Sequence, residues 1–198
     1  MDSHQNALPR SPRGRPLPRA GEVHVWRIEV GEDGSRDAAR RALASILAGY
    51  LGGAGAAELC VGEDGKPRLA RGPERLSFNL SHSGTLALVA VAPGGTEVGV
   101  DVERLRPRRD LRRLAERWLP AADAIAVAAA GEDEREAVFY AAWTRHEARV
   151  KCTGAGLAGP PPGPEVVARQ LEIDAGYAAA VAAEGEPLIV LRDAGGRG

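Results

Sequence analysis

The apolar residues of this 198-residue chain are divided into short runs, which limits the elements that it can form. The longest runs, such as Leu86–Ala92, have the length of a β-strand, whereas a membrane-spanning helix needs roughly 18 apolar residues. A chain of this length forms one domain, or two small halves that share a core. The sequence therefore predicts a core of several short elements and no membrane partner.

Strand and helix patterns follow one another in an order that occurs twice. A strand at residues 23–30 precedes a helix from Ser35, its expected N-cap, to Gly52, and two strands follow at 76–80 and 86–92, joined by a loop at 81–84. A strand at 97–103, helices at 111–119 and 133–151, and strands at 177–183 and 188–191 form the second series. This order predicts an α+β fold of two similar α/β halves, at residues 21–96 and 97–193.

Charge and cysteine content narrow the class of protein. There are 26 Lys and Arg against 27 Asp and Glu, so the net charge of −1 gives no general attraction for nucleic acid or for an anionic membrane. Residues 1–20 form a Pro/Arg-rich tail that we expect to be disordered, and a nucleic-acid arm is the alternative. Two cysteines suffice for neither a disulfide framework nor a zinc site. With no apolar leader visible, we expect a cytoplasmic protein without a nucleic-acid partner.

The segment 98–103, Val-Gly-Val-Asp-Val-Glu, has the alternation of a strand. Its valines would share one face, while Asp101 and Glu103 would lie about 6–7 Å apart on the other. Like charges this close repel unless a cation lies between them, and carboxylate oxygens are ligands that Mg²⁺ accepts. The alternative is an ordinary amphipathic strand with a solvated acidic face.

The segment 139–154 predicts a helix on which Trp143, Glu147 and Lys151 share one face. A glutamate four residues before a lysine is also a common surface ion pair. The apolar residues Phe139 and Val150 indicate instead that much of this helix is buried. A carboxylate and an amine in such surroundings need a partner or a chemical role.

The loop expected at Ser81-His82-Ser83, with Lys66 earlier in the chain, offers hydroxyl, imidazole and ammonium groups that suit a phosphate. A Ser/His nucleophile is possible in principle. Adjacent loop residues seldom align for that chemistry, however, and no acid is placed to orient the imidazole.

Together and in this order, the segments 65–67, 78–84, 98–103 and 143–151 resemble the 4′-phosphopantetheinyl transferases, over roughly residues 23–190. The chain is most similar to their longer type, which resembles surfactin synthetase activating enzyme. The resemblance implies an Mg²⁺-dependent transfer of the phosphopantetheine arm of coenzyme A to a serine of an apo acyl or peptidyl carrier protein, with release of adenosine 3′,5′-bisphosphate. It also implies a monomer whose two halves are related by a pseudo-two-fold axis, with coenzyme A in the cleft between them.

The resemblance also assigns roles to eight residues. It implies that Asp101, Glu103 and Glu147 bind the metal, that Glu147 is the general base, and that Lys151 faces the phosphates. It further implies that coenzyme A is bound by Arg40, Lys66, Ser81, His82, Asp101 and Lys151. Arg41 is an alternative to Arg40 at the adenosine end.

Two departures and one surface bear on these roles. His146 stands where many relatives have lysine, which predicts less positive charge near the phosphates, and the acidic stretch 31–34 replaces a longer basic segment. Arginines at 104–113 form either a docking surface for an acidic carrier protein or a solvated loop. A degenerate relative that binds coenzyme A or a carrier without transfer is the alternative function. The sequence does not distinguish Mg²⁺ from Mn²⁺ or identify the carrier.

Overall fold

In the computed structural model, residues 14–31, 36–53, 57–62, 67–70 and 76–194 are described. Strands and helices are interspersed along them, which confirms the mixed α+β class. The expected N-cap Ser35 lies outside the described residues. The elements are β1 (Glu22–Glu29), α1 (Arg36–Leu51), β2 (Leu59–Val61), β3 (Pro67–Leu69), β4 (Leu76–Ser83), β5 (Leu86–Pro93), β6 (Val98–Arg104), α2 (Leu111–Trp118), α3 (Ala121–Ala129), α4 (Glu132–Thr153), β7 (Val166–Leu171), β8 (Tyr177–Glu184) and β9 (Leu188–Asp193).

The strands form two larger sheets and a small hairpin. A four-stranded sheet has the order β4-β5-β1-β9, a three-stranded sheet has the order β6-β8-β7, and β2 pairs with β3. All neighbours are antiparallel except β9, which runs parallel to β1. The last strand of the chain therefore returns to the sheet that residues 22–93 build.

The inner faces of the two sheets share one apolar cluster. Alternate residues of β1, β5, β6 and β8 meet there, and Val25, Leu88, Val100 and Val181 are completely buried. Helix α1 covers the other face of the four-stranded sheet, and α4 packs on the other face of the three-stranded sheet. None of the helices described has the length and apolar character to cross a bilayer.

The edge strands β4 and β6 are joined by side chains rather than by backbone pairing. Asn79 Oδ1 accepts the Val100 N–H at 3.0 Å, Ser81 Oγ accepts the Val102 N–H at 3.3 Å, and Ser83 Oγ accepts the Arg104 N–H at 3.1 Å. We call these three contacts the β4–β6 ladder. Every second residue of β4 thus satisfies a backbone donor that an unpaired edge strand would leave open.

The prediction of a loop at residues 81–84 is wrong. Strand β4 continues to Ser83, because it pairs with β5 as far as Ser83 opposite Leu86, and the turn consists of Gly84 and Thr85. The Tyr177 hydroxyl accepts the Thr85 N–H at 3.1 Å and so ties this turn to β8. As strand residues, Ser81 and Ser83 share one face while His82 points to the other.

Part of the Pro/Arg-rich tail contacts the folded chain. Residues 1–13 lie outside the described residues, but the Arg15 N–H donates to Gly49 O at 2.7 Å and Arg15 Nη1 donates to Ile46 O at 3.1 Å. The guanidinium also lies 4.4 Å from the centre of the Trp26 ring. Two carbonyls of α1 and an aromatic face thus provide partners for Arg15.

Gly99 sets the distance between β6 and α4. A Cβ at this position would overlap Ala148 O and the Cys152 N–H nitrogen, both of which belong to the helix backbone. Backbone atoms cannot rotate away as a flexible side chain can, so only glycine allows this approach. The close packing brings the acidic face of β6 up to the side chains of α4.

We therefore expect Gly99→Ala to lower the free energy of unfolding by about 2 kcal/mol or more, because it forces strand and helix apart. Urea denaturation followed by circular dichroism measures this loss. Gly131→Ala is the matched control, since a Cβ at Gly131, the N-cap of the same helix, meets nothing within 4 Å. Equal stability losses in the two variants would contradict the role assigned to Gly99.

Candidate active site

One cavity collects nearly all the residues that the sequence motifs single out. Its volume is about 410 Å³, and it lies where β4, β6, α1 and α4 meet. The residues that line it are Arg36, Arg40, Pro67, Leu80, Ser81, His82, Asp101, Glu103, Glu147 and Lys151. Of the eight predicted site residues, only Lys66 is missing from this set, because it lies outside the described residues.

Asp101 lies at the most buried point of the cavity, with 3% of its surface exposed. Its Oδ1 accepts hydrogen bonds from Lys151 Nζ at 2.6 Å and from Ser81 Oγ at 2.9 Å. Its Oδ2 is buried and has no hydrogen-bond partner among the described residues. Burial raises the pKa of this carboxyl group, and the Lys151 ammonium opposes that rise.

Glu103 and Glu147 complete a group of three carboxylates. Ser83 Oγ donates to Glu103 Oε2 at 2.8 Å, whereas Glu147 accepts no hydrogen bond from any described residue. Burial is the main cause that raises the pKa of Glu103, and the charge of Asp101 adds to it. Burial, followed by the charge of Asp101, raises the pKa of Glu147 to about 6. The three acids thus share an environment that disfavours their negative charges.

The donor set fits a hard divalent cation, although no finished coordination shell is present. Mg²⁺ accepts one or two carboxylates, and the orphaned Asp101 Oδ2 is an oxygen that lacks a partner. Among the described residues, however, no three His, Cys, Asp or Glu side chains are gathered closely enough to hold a metal as they stand. Lys151 at present supplies the positive charge next to Asp101.

Cationic groups from α1 and α4 face the acids. Arg40 lines the cavity as expected and Arg41 does not, while Arg36 is an additional lining residue that the sequence reasoning missed. The helical spacing could have revealed it, since residues four apart share a face. Burial, together with the charges of Arg36 and Lys151, lowers the pKa of His82.

Ser81 and Lys151 contact each other and Asp101. The sequence predicted that both face phosphates. In the structure Lys151 Nζ donates to Ser81 Oγ at 2.9 Å as well as to Asp101. Ser81 thus joins the strand β6, the acid and the lysine, and the two residues hold Asp101 in place.

The expected effect of His146 on phosphate binding finds no support. His146 lines a separate cavity of about 460 Å³ with Asp123, Arg145 and Arg149, whereas Glu147 faces the acidic cavity. Adjacent residues of a helix point in different directions, so the neighbour of a site residue need not reach the site. The other departure, the acidic stretch 31–34, lies outside the described residues except for Gly31.

A second, smaller cavity adjoins the first at Glu103, which lines both. Its volume is about 180 Å³, and Phe139 and Trp143 form part of its wall, with their rings stacked at 5.7 Å between centroids. Three arginines contribute charge: Arg104, Arg106 and Arg108. The Tyr140 hydroxyl donates to Arg106 O at 3.2 Å and so ties the loop after β6 to α4.

Known proteins resemble this chain, and the matched family model includes β6 and α4, two of the elements that line the cavity. Residues 97–182 match the family model described as the 4′-phosphopantetheinyl transferase superfamily. The chain is 32% identical, in an alignment of 182 residues that covers 76% of each protein, to the 4′-phosphopantetheinyl transferase HetI of Nostoc sp.. It is 42% identical over 98 residues to AcpT of Salmonella typhimurium and 41% identical over 98 residues to AcpT of Escherichia coli, both 4′-phosphopantetheinyl transferases. These matches span about half of each AcpT chain.

The pairing of Lys151 with Asp101 predicts a large energetic coupling. Without metal, Lys151→Met leaves a buried carboxylate without its counter-charge, so we expect the free energy of unfolding to fall by about 2 kcal/mol. Adding Asp101→Asn to Lys151→Met removes the unpaired carboxylate charge. The double variant should therefore be more stable than Lys151→Met alone. Urea denaturation in the presence of a chelator measures the free energy of unfolding of the original chain, of the two single variants and of the double variant.

The exposed pair Arg169–Glu186, at 3.2 Å, is the control for this cycle. Surface pairs contribute less than about 1 kcal/mol, so Arg169→Met and Glu186→Gln should be nearly additive. Additive losses at Lys151 and Asp101 as well would contradict the assignment of Lys151 as the counter-ion of Asp101.

Proposed function

This chain belongs to the 4′-phosphopantetheinyl transferase family, and from that premise we propose that it transfers the phosphopantetheine arm of coenzyme A to a serine of an apo acyl or peptidyl carrier protein. Enzymes of the family use coenzyme A and act on carrier proteins. The observation that carries the proposal is the single cavity lined by seven of the eight residues that the motifs assign to this chemistry. No observation favours a degenerate relative without transfer activity.

The reaction exchanges one phosphorus–oxygen bond for another. The serine oxygen of the carrier forms a bond to the phosphorus that bears the pantetheine arm. The bond from that phosphorus to the oxygen bridging it to the nucleotide breaks, and adenosine 3′,5′-bisphosphate leaves with the bond's electrons. The serine proton passes to a base, because a neutral hydroxyl is a weak nucleophile.

Glu147 is the proposed base. It lies in the cavity opposite the acids of β6 and accepts no hydrogen bond from any described residue, which leaves its oxygens able to receive a proton. Asp101 and Glu103, by contrast, accept hydrogen bonds from Ser81 and Ser83. This difference supports the division of roles between the three carboxylates.

We assign Asp101, Glu103 and Glu147 as the residues that would hold Mg²⁺. When bound, such an ion neutralises charge on the phosphates of the substrate. The unpartnered Asp101 Oδ2 supports the assignment, and so does the presence of all three carboxylates in the lining of one cavity. Arg40 and His82, with Lys66, are the proposed contacts to the nucleotide, and Lys151 is proposed to assist both the acids and the phosphates.

The longer, pseudo-dimeric type of transferase is the finer proposal. Two sheets, each covered by a helix, support the division into residues 21–96 and 97–193, except that β9 of the second part pairs with β1 of the first. The cavity receives β4 and α1 from the first part and β6 and α4 from the second. We therefore propose a pseudo-two-fold relation between the parts, with coenzyme A bound at their junction, in a monomeric cytoplasmic enzyme.

The arginines that follow β6 are the proposed docking surface for the carrier. Six exposed side chains lie within ten residues of chain, and none forms an ion pair with a described residue: Arg104, Arg106, Arg108, Arg109, Arg112 and Arg113. Three of them line the second cavity beside Glu103. Unpaired positive charge next to a reactive site attracts an acidic macromolecule and directs its approach.

Transfer is tested by mass spectrometry of an apo carrier protein incubated with this enzyme, coenzyme A and Mg²⁺. We expect the carrier to gain one phosphopantetheine group, and chelation of the metal to stop the reaction. Asp101→Asn and Glu147→Gln should each slow transfer roughly 100-fold or more, because they remove a charged ligand or the base. Glu186→Gln, at an exposed carboxylate, is the control. Undiminished transfer by Glu147→Gln would overturn the base assignment and leave the family assignment intact.

Charge reversal tests the docking surface. Arg109→Glu with Arg112→Glu should raise KM for the carrier protein at least several-fold while KM for coenzyme A stays the same, because neither side chain lines a cavity that Glu103 lines. Arg169→Glu is the matched control, as it lies on β7 at the opposite edge of the three-stranded sheet. An equal rise in KM for the control would show a general charge effect and refute the assigned surface.

A further inference from the structure

We propose that Ser83 is a positioning residue, whose hydroxyl holds the Glu103 carboxylate towards the active-site cavity in the orientation that a metal needs. The inference rests on the proposed function. It concerns a side chain that lines the second cavity and not the first.

The hydrogen bonds of Ser83 fix the direction of its single proton. Ser83 Oγ accepts the Arg104 N–H at 3.1 Å and lies 2.8 Å from Glu103 Oε2. A hydroxyl has one proton to donate, and an ionised carboxylate accepts hydrogen bonds but cannot donate one. The backbone contact therefore anchors the oxygen while the proton is directed at Glu103.

The same arrangement occurs two residues earlier. Ser81 Oγ accepts the Val102 N–H at 3.3 Å and donates to Asp101 Oδ1 at 2.9 Å. Each serine of the β4–β6 ladder thus binds the backbone of the residue that follows an acid, and the carboxylate of the acid itself. The repeated geometry makes the Ser83 contact part of the seam between the strands rather than an isolated surface hydrogen bond.

Glu103 needs such a restraint because negative charge on one side and positive charge on the other displace it in the same direction. On one side lies Asp101, whose negative charge repels it within the active-site cavity. On the other lies the second cavity, where Arg104, Arg106 and Arg108 offer positive charge. The charges of Asp101 and of these arginines thus act to draw Glu103 out of the active site, while the Lys151 ammonium attracts it inwards. The hydrogen bond from Ser83 fixes one carboxylate oxygen of Glu103 beside the backbone of β6 and so limits that movement.

Asn79 supplies a matched comparison within the ladder. Its Oδ1 accepts the Val100 N–H at 3.0 Å, so it joins β4 to β6 as the serines do. It contacts no carboxylate and does not line the acidic cavity. Replacing Asn79 therefore measures what one contact of the β4–β6 ladder contributes to stability. Replacing Ser83 removes a contact of the same ladder and also the hydrogen bond that positions Glu103.

The experiment measures Mn²⁺ affinity of the full chain by the decrease of the free-ion electron paramagnetic resonance signal, without coenzyme A or carrier. We expect Ser83→Ala to weaken Mn²⁺ binding roughly 10- to 100-fold, the usual effect of losing a group that orients a ligand. Ser83→Thr, which keeps the hydroxyl, should restore affinity to within a few-fold. Asn79→Ala should lower the melting temperature and leave Mn²⁺ affinity unchanged.

Removing the competing charge provides a second test. Arg108→Gln in the Ser83→Ala background should recover part of the lost Mn²⁺ affinity, because the arginine no longer attracts Glu103. Should Ser83→Ala fail to fold, Ser83→Cys gives the same comparison, since a thiol of similar size is a weak donor.

The outcomes separate the two levels of inference. Unchanged Mn²⁺ affinity in Ser83→Ala, or an equal loss in Asn79→Ala, would overturn the positioning role while wild-type binding and transfer uphold the proposed function. A wild-type chain that neither binds Mn²⁺ nor modifies a carrier would overturn the proposed function itself, and the role of Ser83 with it.

Discussion

The β4–β6 ladder is the interaction on which both the fold and the candidate site depend. The two larger sheets are not paired through their backbones at this edge, so the contact between β4 and β6 relies on side chains. A strand edge whose donors are satisfied by serine and asparagine leaves the strands far enough apart for a cavity between them. The same serine hydroxyls then have protons left for Asp101 and Glu103. Joining the sheets and holding the acids are therefore one structural solution.

The charges in the cavity raise the energy of the folded protein, and this cost indicates that they serve something other than stability. Burial disfavours the ionised form of all three acids, and the negative charge of Asp101 further disfavours ionisation of both glutamates. The ammonium of Lys151 relieves only part of this cost, because one Asp101 oxygen stays without a partner. A chain selected for stability alone would replace such a group by apolar residues. Three carboxylates line one cavity, and one of them has a buried oxygen that no described residue partners, so stability alone does not account for this arrangement.

Much of the site could be predicted because it follows from local periodicity. Alternation along β6 places Asp101 and Glu103 on one face, and the four-residue spacing on α4 brings Glu147 and Lys151 to the same cavity. The prediction of a loop at residues 81–84 was wrong because it relied on local preference alone. Serine and glycine favour turns, but pairing with the buried strand β5 extends β4 to Ser83. The ladder itself depends on tertiary contacts between β4 and β6, which no local pattern contains. The assigned chemical roles stay predictions until transfer is measured.

The register of β6 shows why core and site constrain each other. Val98, Val100 and Val102 enter the apolar cluster between the sheets, while the intervening positions face α4 and the cavity. A shift of one residue would place the acids in the apolar core and the valines in the cavity. It would also remove glycine from the position where the helix backbone leaves no room for a Cβ. Packing of the core therefore selects the same register of β6 as the geometry of the site. No shift of this strand could satisfy the core without also fixing where the acids lie.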